Sequence, residues 1–248
     1  MSSVASRACK SHYSFSDRVA ELLNRVDCRP AVSSADRDAI FRLRYQAYLS
    51  EGTIKPSLVQ TFSDPYDESE NVWLLGLYLD GELASSIRLH VATPASRDFP
   101  SRKVFAELLE PELDAGKIIV DPTRFVTDKG YSRTNPGLPY ATVRLAWLAA
   151  EHFGAAHLLA AVRTEHQAFY RRTFDHRPIC APRPYPLLTQ PISLMTVDYA
   201  SVAERVHQRY PFFRSSFFER RMLFDRAALV ESVPFPPATM ARAVHHAA

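Results

Sequence analysis

Four sets of charged and aromatic residues follow one another in an order that could build a reactive cleft. Asp121-Pro-Thr-Arg124-Phe125 closes an apolar run and sets a carboxylate three residues from a guanidinium. Before it come Arg44 and Tyr48 on a helical pattern, Asp64-Pro-Tyr-Asp67 in a polar stretch, and Arg88 within Ser86-Ile-Arg88-Leu. A carboxylate whose pKa burial has raised can act as a general base, which contributes about 10²- to 10⁴-fold in rate. Asp121 is the first candidate and Asp64 or Asp67 the second. A forked guanidinium binds a substrate carboxylate through two parallel hydrogen bonds, where lysine offers a point charge. Arg88 and Arg124 either do this or pair with Asp121 or Asp67 to tie strand ends together. Each set also has a structural reading: an arginine packed on an aromatic one turn away, a turn opened by Asp before Pro, and an ion pair. His152, His157 and His176 lack ligand spacing with one another or with Cys180, so no metal site is expected.

The elements that must position these residues are legible from periodicity. Ser14-Phe-Ser-Asp17 caps a helix to about Val26, a short strand covers 29–32, and Ser33 or Ser34 caps a helix to about Ser50 that Gly52 ends. The polar span 53–71, with Pro56 and Pro65, reads as a loop over a site. Val72 to Leu79 and Glu82 to Val91 form a hairpin, since Asp80-Gly81 tolerates the positive φ of a tight turn. A short helix over 100–109, a strand over 117–126, a polar loop over 127–137 and a helix over 138–153 follow. A strand over 157–162, a helix over 165–174, a proline-rich loop over 178–191 and a strand over 192–197 complete the core. One or two helices are expected over 201–226. This order gives an α+β plan, with an antiparallel run of strands followed by crossovers. Residues 1–12 are expected to be disordered, 13–199 to form one domain, 200–226 a helical extension, and 227–248 a flexible tail.

A chain of 248 residues that is 46% apolar can bury a real core. No apolar window approaches the roughly 20 residues of a membrane span, and no secretory signal is visible. Cys9, Cys28 and Cys180 are too few and scattered for a disulfide framework, which fits a cytoplasmic setting. With 30 basic and 27 acidic side chains, the charge is too balanced for nucleic acid as the main partner. Arg205, Arg209, Arg214, Arg220 and Arg221 cluster near the end, and Arg163, Arg171 and Arg172 flank one helix; these either dock an acidic partner or form a solvated face.

The order of elements is similar to the GNAT acyltransferase fold. Glu165-His-Gln-Ala-Phe-Tyr170-Arg-Arg-Thr-Phe174 resembles its late helix, with Thr173 where that pattern carries glycine. A closer resemblance, over about residues 41–199, is to the N-acyl amino acid synthases of the FeeM type and their relatives, the acyl-homoserine-lactone synthases. Phe41-Arg-Leu-Arg44-Tyr-Gln-Ala-Tyr48, Asp64-Pro-Tyr-Asp67, Ser86-Ile-Arg88-Leu and Asp121-Pro-Thr-Arg124-Phe125 carry it in order. Glu165-His166 with Phe169-Tyr170, Arg183-Pro-Tyr-Pro, and Pro191-Ile-Ser-Leu-Met195 favour the amino acid branch. The lactone enzymes carry glutamate at Asp121 and tryptophan at Ile54; the shorter Asp121 would act through a water.

The resemblance implies a GNAT-like mixed, mostly antiparallel sheet flanked by helices, with extra C-terminal helices. It implies transfer of a long-chain acyl group from acyl carrier protein, as an acyl-phosphopantetheine thioester, to the amino group of an amino acid or similar small amine. Asp121, Arg124 and Tyr170 would be catalytic, Tyr170 as the proton donor to the thiolate. Arg44, Tyr48, Asp64, Asp67, Arg88, Phe125 and Val126 would bind substrate, with an oxyanion-stabilising backbone N–H between Phe125 and Thr127. The stretch 129–137 is too glycine-poor to cradle the pyrophosphate of coenzyme A, so no cofactor beyond the carrier's thioester is expected. An acyl-homoserine-lactone synthase using S-adenosylmethionine and an inactive acyl- or carrier-binding protein are the alternatives.

Overall fold

A central sheet carries the site, and its strands form where the apolar and β-branched runs lie. The computed structural model describes residues 13–185 and 190–226, so the expected disordered N-terminus and C-terminal tail lie outside the described residues. In chain order the elements are α1 (Phe15–Leu23), β1 (Val26–Pro30), α2 (Ser34–Ser50), β2 (Val72–Leu79), β3 (Glu82–Ala92), α3 (Arg102–Asp114), β4 (Ile119–Thr127), α4 (Lys129–Thr134) and α5 (Leu138–His152). They continue with β5 (His157–Val162), α6 (Gln167–Phe174), β6 (Arg177–Pro178), β7 (Ser193–Asp198), α7 (Tyr199–Arg209) and α8 (Phe217–Phe224). Short 3-10 turns occupy Pro65–Glu68, Thr164–His166 and Pro211–Phe213.

The seven strands lie in the order β1-β2-β3-β4-β5-β7-β6. All neighbours are antiparallel except β4 and β5. The β2–β3 turn has Asp80 at φ 53° and Gly81 at φ 89°, the two positive values a two-residue hairpin of this hand needs. Pairing between β4 and β5 covers only Ile119↔His157 and Val120↔Leu158, although both strands run on. Beyond those pairs they diverge and leave a wedge in the middle of the sheet.

Helix α5 is buried along nearly its whole length because it fills the space between the sheet and the C-terminal segments. Trp147 at its centre stacks on Phe174 at 5.1 Å and donates Nε1 to His207 Nε2 at 2.9 Å. Gly137 precedes α5 where a side chain would press on Val19 and Leu22 of α1. On the other face α3 packs Phe105, Leu109 and Leu113 against Ile119, Leu159 and Leu194.

The C-terminal helices are fastened by one buried side chain. Arg144 of α5 donates to Phe212 O at 2.6 Å, Arg214 O at 2.8 Å and Glu219 Oε2 at 2.9 Å. Arg144→Leu strands all three acceptors, and we expect it to destabilise the fold by about 2–4 kcal/mol. An unchanged melting temperature would show that the apolar contacts of α8 suffice.

Several elements differ from the sequence expectation. The polar stretch 127–137 contains α4, because Asp128 Oδ1 accepts from Gly130 N at 2.8 Å and Tyr131 N at 3.1 Å and nucleates a turn. Helix α3 runs past Leu109 through Pro111, with a kink at Phe105. Strand β1 begins at Val26, not 29, because it pairs along β2 from Val26↔Leu79.

Candidate active site

The wedge between β4 and β5 opens into a cavity of about 930 Å³. Its walls include Pro122 to Thr127 of β4, Leu159 to Val162 of β5, Tyr48 of α2, and Phe169 and Tyr170 of α6. The diverging strands leave main-chain groups on the facing edges without a strand partner. Asp128 N donates to Ala84 O at 2.9 Å, so alternation along the antiparallel pair turns the Thr127 N–H away from β3 and toward the wedge.

At one pole of the cavity an alternating chain of charges crosses from α2 to β4. Arg44 Nη1 meets Asp67 Oδ1 at 2.8 Å, and Arg88 Nη1 meets Asp67 Oδ1 at 3.0 Å and Asp64 Oδ1 at 2.6 Å. Arg124 Nη2 then meets Asp64 Oδ2 at 2.6 Å, while Arg88 Nε donates to Thr123 Oγ1 at 3.0 Å. Local chain geometry supports this. Asp64 and Asp67 cap the same 3-10 turn reciprocally, Asp64 Oδ1 accepting from Tyr66 N and Asp67 Oδ2 from Asp64 N. Burial works to raise the Asp64 pKa, but Arg88 and Arg124 outweigh it and hold the group at about 2. Asp67 is likewise depressed, with burial opposed by Arg44 and Arg88. Both are therefore weaker bases than a free carboxylate. Asp64 is thus shared between Arg88 and Arg124, and Asp67 between Arg44 and Arg88.

Arg124 sits at a bulge, since the β3–β4 register shifts between Ser86↔Val126 and Arg88↔Thr123. Its φ of 52° is left-handed, a conformation that costs a non-glycine residue about 1–3 kcal/mol and concentrates at functional sites. The guanidinium lies 4.7 Å from the Phe62 ring centroid and 5.8 Å from that of Tyr48, whose own rings meet edge to face at 5.1 Å. Burial disfavours its cation, but Tyr48 and Asp64 more than offset that and raise its pKa.

Asp121 is fully buried behind this wall. Its Oδ2 accepts from Ser101 N at 3.0 Å and its Oδ1 from Ser101 Oγ at 2.8 Å, so a β4 carboxylate caps the start of α3. Burial, opposed by those two bonds, pushes its pKa up to about 6. Opposite it in β3, His90 is held neutral by burial, its pKa falling to about 3, with Nε2 3.0 Å from Tyr66 O. Tyr185, on the cavity wall, has its hydroxyl pKa raised by burial and by Asp121. Burial also pushes Tyr170 to about 12, which keeps it a proton donor at neutral pH.

Seven of the ten expected residues line the cavity: Tyr48, Asp64, Arg88, Arg124, Phe125, Val126 and Tyr170. Arg44, Asp67 and Asp121 are not on its wall: Asp67 bridges Arg44 and Arg88 behind it, and Asp121 is fully buried. Of the pairings the sequence left open for Arg88 and Arg124, Arg88 with Asp67 is present, while Arg124 pairs with Asp64 and not with Asp121. The sequence pointed to no role for Ser101, or for Lys103 and Tyr66, which line the cavity. Tyr66 lay inside a quoted motif, whereas Ser101 meets Asp121 only through a long-range contact. Among the described residues no cluster of three His, Cys, Asp or Glu side chains could hold a metal ion, and no helix is long and apolar enough to cross a membrane.

Residues 39–198, more than half of the chain, match the sequence model of the family described as N-acyl amino acid synthase FeeM. The solved structure of FeeM, an N-acyl amino acid synthase from uncultured soil microbes, aligns with a TM-score of 0.61 at 17% identity, over 76% of this chain and 98% of that one. BjaI, a CoA-dependent acyl-homoserine lactone synthase solved with MTA, gives 0.54 at 18% identity over 75% of this chain and 89% of its own. MesI, also a CoA-dependent acyl-homoserine lactone synthase, gives 0.53 at 16% identity over 81% of this chain and 100% of its own. At such identities these structures establish a shared fold, and the α+β, GNAT-like arrangement anticipated from the sequence is the one observed. No curated protein sequence matches.

Proposed function

The chain belongs to the FeeM N-acyl amino acid synthase family and is an acyltransferase, and from that premise we propose that it moves a long-chain acyl group from acyl carrier protein to the amino group of a free amino acid. The observation that carries this reading is the wedge between β4 and β5, open along unpaired strand edges and ending at a pole where Arg88 and Arg124 line the wall. A phosphopantetheine arm is an extended chain with two amide groups, suited to bonding with free strand edges. The acyl chain then lies against Ile87, Leu159, Phe169 and Ile192.

The acceptor's carboxylate meets the forked guanidinium of Arg124, which pre-orients its amine toward the thioester carbon. Proximity of this kind converts a bimolecular encounter into an effectively unimolecular step. An ammonium has no lone pair, so it must first give up a proton. Asp121 receives it through an intervening water, since its pKa near 6 leaves it ionised yet basic at neutral pH. The Thr127 N–H faces the wedge and stabilises the oxyanion as the amine adds. As the intermediate collapses and the C–S bond breaks, Tyr170 protonates the departing thiolate and regains its proton from the nitrogen that becomes the amide.

If Asp121 is the proton acceptor, kcat/KM should rise with pH through about 6. Ser101→Ala removes a hydrogen bond to the charged form and should move that limb up by roughly one pH unit. Asp121→Asn should abolish it. An unmoved limb in both variants would place the base elsewhere.

The test of the reaction is mass spectrometry of products after incubation with long-chain acyl carrier protein, all amino acids and S-adenosylmethionine. An N-acyl amino acid supports the proposal and names the acceptor; an acyl lactone with released methylthioadenosine replaces it with lactone synthesis.

A further inference from the structure

Given the acyl transfer described above, on which this rests, we propose that Ser85 and Thr142 are positioning residues for the oxyanion step, two hydroxyls that aim and polarise the peptide between Val126 and Thr127. Ser85 lies on β3 and Thr142 on α5, and both are 0% exposed. Ser85 Oγ donates to Val126 O at 2.7 Å, and Thr142 Oγ1 donates to Ser85 Oγ at 2.8 Å. The direction of this chain is fixed. A carbonyl cannot donate, so the single Ser85 proton lies on Val126 O and Ser85 Oγ is left as an acceptor. Leu138 O, 2.9 Å from Thr142 Oγ1, shares the Thr142 proton.

The carbonyl held in this way belongs to the same planar peptide as the Thr127 N–H, and in a trans unit the two point in opposite directions. One end is therefore gripped from β3 and α5 while the other faces the wedge, and both residues line the cavity. The ladder alone holds this unit loosely. It adjoins the bulge, where the β3–β4 register shifts between Ser86↔Val126 and Arg88↔Thr123 and Arg124 has its φ of 52°. Ser85 adds a side-chain bond across that irregular stretch, and Thr142 holds the Ser85 hydroxyl in place from the helix above.

An oxyanion donor is effective because it is in place before the charge develops. A hydrogen bond accepted at the carbonyl end of a peptide also draws electron density from its N–H, and chains of such bonds reinforce one another where water is excluded. Buried hydroxyls need partners wherever they lie. A pair that served packing alone, however, could be exchanged through Ser85→Ala with Thr142→Val at little cost, because replacing bonded groups by apolar ones of similar shape is nearly neutral.

The test is infrared spectroscopy of hexadecanoyl carrier protein, isotope-labelled at the thioester carbonyl and bound to the full chain without acceptor, together with steady-state rates when all amino acids are supplied. In the wild-type protein the carbonyl band should move to lower frequency on binding. Ser85→Ala should lose most of that shift and lower kcat about tenfold with the donor's KM unchanged, less than the loss of about 10²- to 10³-fold when an oxyanion donor is deleted outright. Thr142→Val, close in shape but without the hydroxyl, should change both readouts in the same direction, and Thr142→Ser, which keeps the hydroxyl, should restore them. A wild-type shift and rate in Ser85→Ala overturn the proposal and leave the acyl transfer standing. Equal losses in Thr142→Ser and Thr142→Val also overturn it, since packing and not the hydroxyl would then be responsible. Product formation without any shift in the wild type removes Thr127 as the donor and Ser85 with it. Absence of both binding and product in the wild type overturns the acyl-transfer reading itself, and this proposal falls with it.

Discussion

Arg124→Ala should lower kcat/KM by about 10²- to 10³-fold while the protein stays folded. The guanidinium is the cation on the cavity wall that Asp64 does not fully neutralise, because Asp64 is shared with Arg88. Losing a forked, charge-assisted partner for a substrate carboxylate typically costs about 2–5 kcal/mol, and 1.4 kcal/mol is tenfold. The fold should survive because Asp64 keeps Arg88, and because alanine inherits the same left-handed φ of 52° that arginine already tolerates. Arg124→Gly separates backbone from side chain: it should be as inactive as the alanine variant but at least as stable, since glycine adopts this conformation without strain. Arg124→Lys should recover only part of the loss, restoring charge without the fork. Wild-type turnover in the alanine variant would remove Arg124 from the acceptor site.

Asp67→Ala should do the reverse. Asp67 is 1% exposed and accepts from both Arg44 and Arg88, so its removal leaves two buried guanidiniums short of a counter-charge. Arg44 is already poorly served, with Nε and Nη2 lacking a hydrogen-bond partner among the described residues. Breaking one side of a buried ion pair costs about 3–5 kcal/mol, which in a chain of this size lowers the melting temperature by roughly 6–20 °C. The reciprocal cap of the 3-10 turn is lost as well. Turnover per folded molecule, measured well below the melting point, should change far less than in Arg124→Ala. A variant that melts normally but is inactive would mean that Asp67 contacts substrate.

The hairpin was legible because Asp80-Gly81 encodes its turn, and α5 because an apolar run is bounded by glycines. The ordered charged sets also converge in space, since most of their members reach one cavity. Their partners were not legible. A three-residue step along a regular strand reverses the face, so Asp121 and Arg124 would point apart. The left-handed residue at the bulge returns Arg124 to the side of Arg88 and Asp64, and nothing in an arginine codon position announces a positive φ. Asp64 and Arg124 are 60 residues apart, and Ser101 and Asp121 are 20 apart. Both contacts exist only once β3, β4 and the start of α3 are assembled. The wedge was hidden for the same reason, since it depends on where the pairing of β4 with β5 stops.

That stopping point bears on turnover. If the arm of the donor serves as the missing strand between β4 and β5, its main-chain bonds are the same whether or not it still carries an acyl group. The spent carrier should then compete with the loaded one, with an inhibition constant near the donor's KM, and its departure rather than bond formation should pace the steady state. A pre-steady-state burst of thiol, of one equivalent per enzyme, is the kinetic trace that such a sheet would leave; linear release from the first turnover would mean that the arm leaves as easily as it enters.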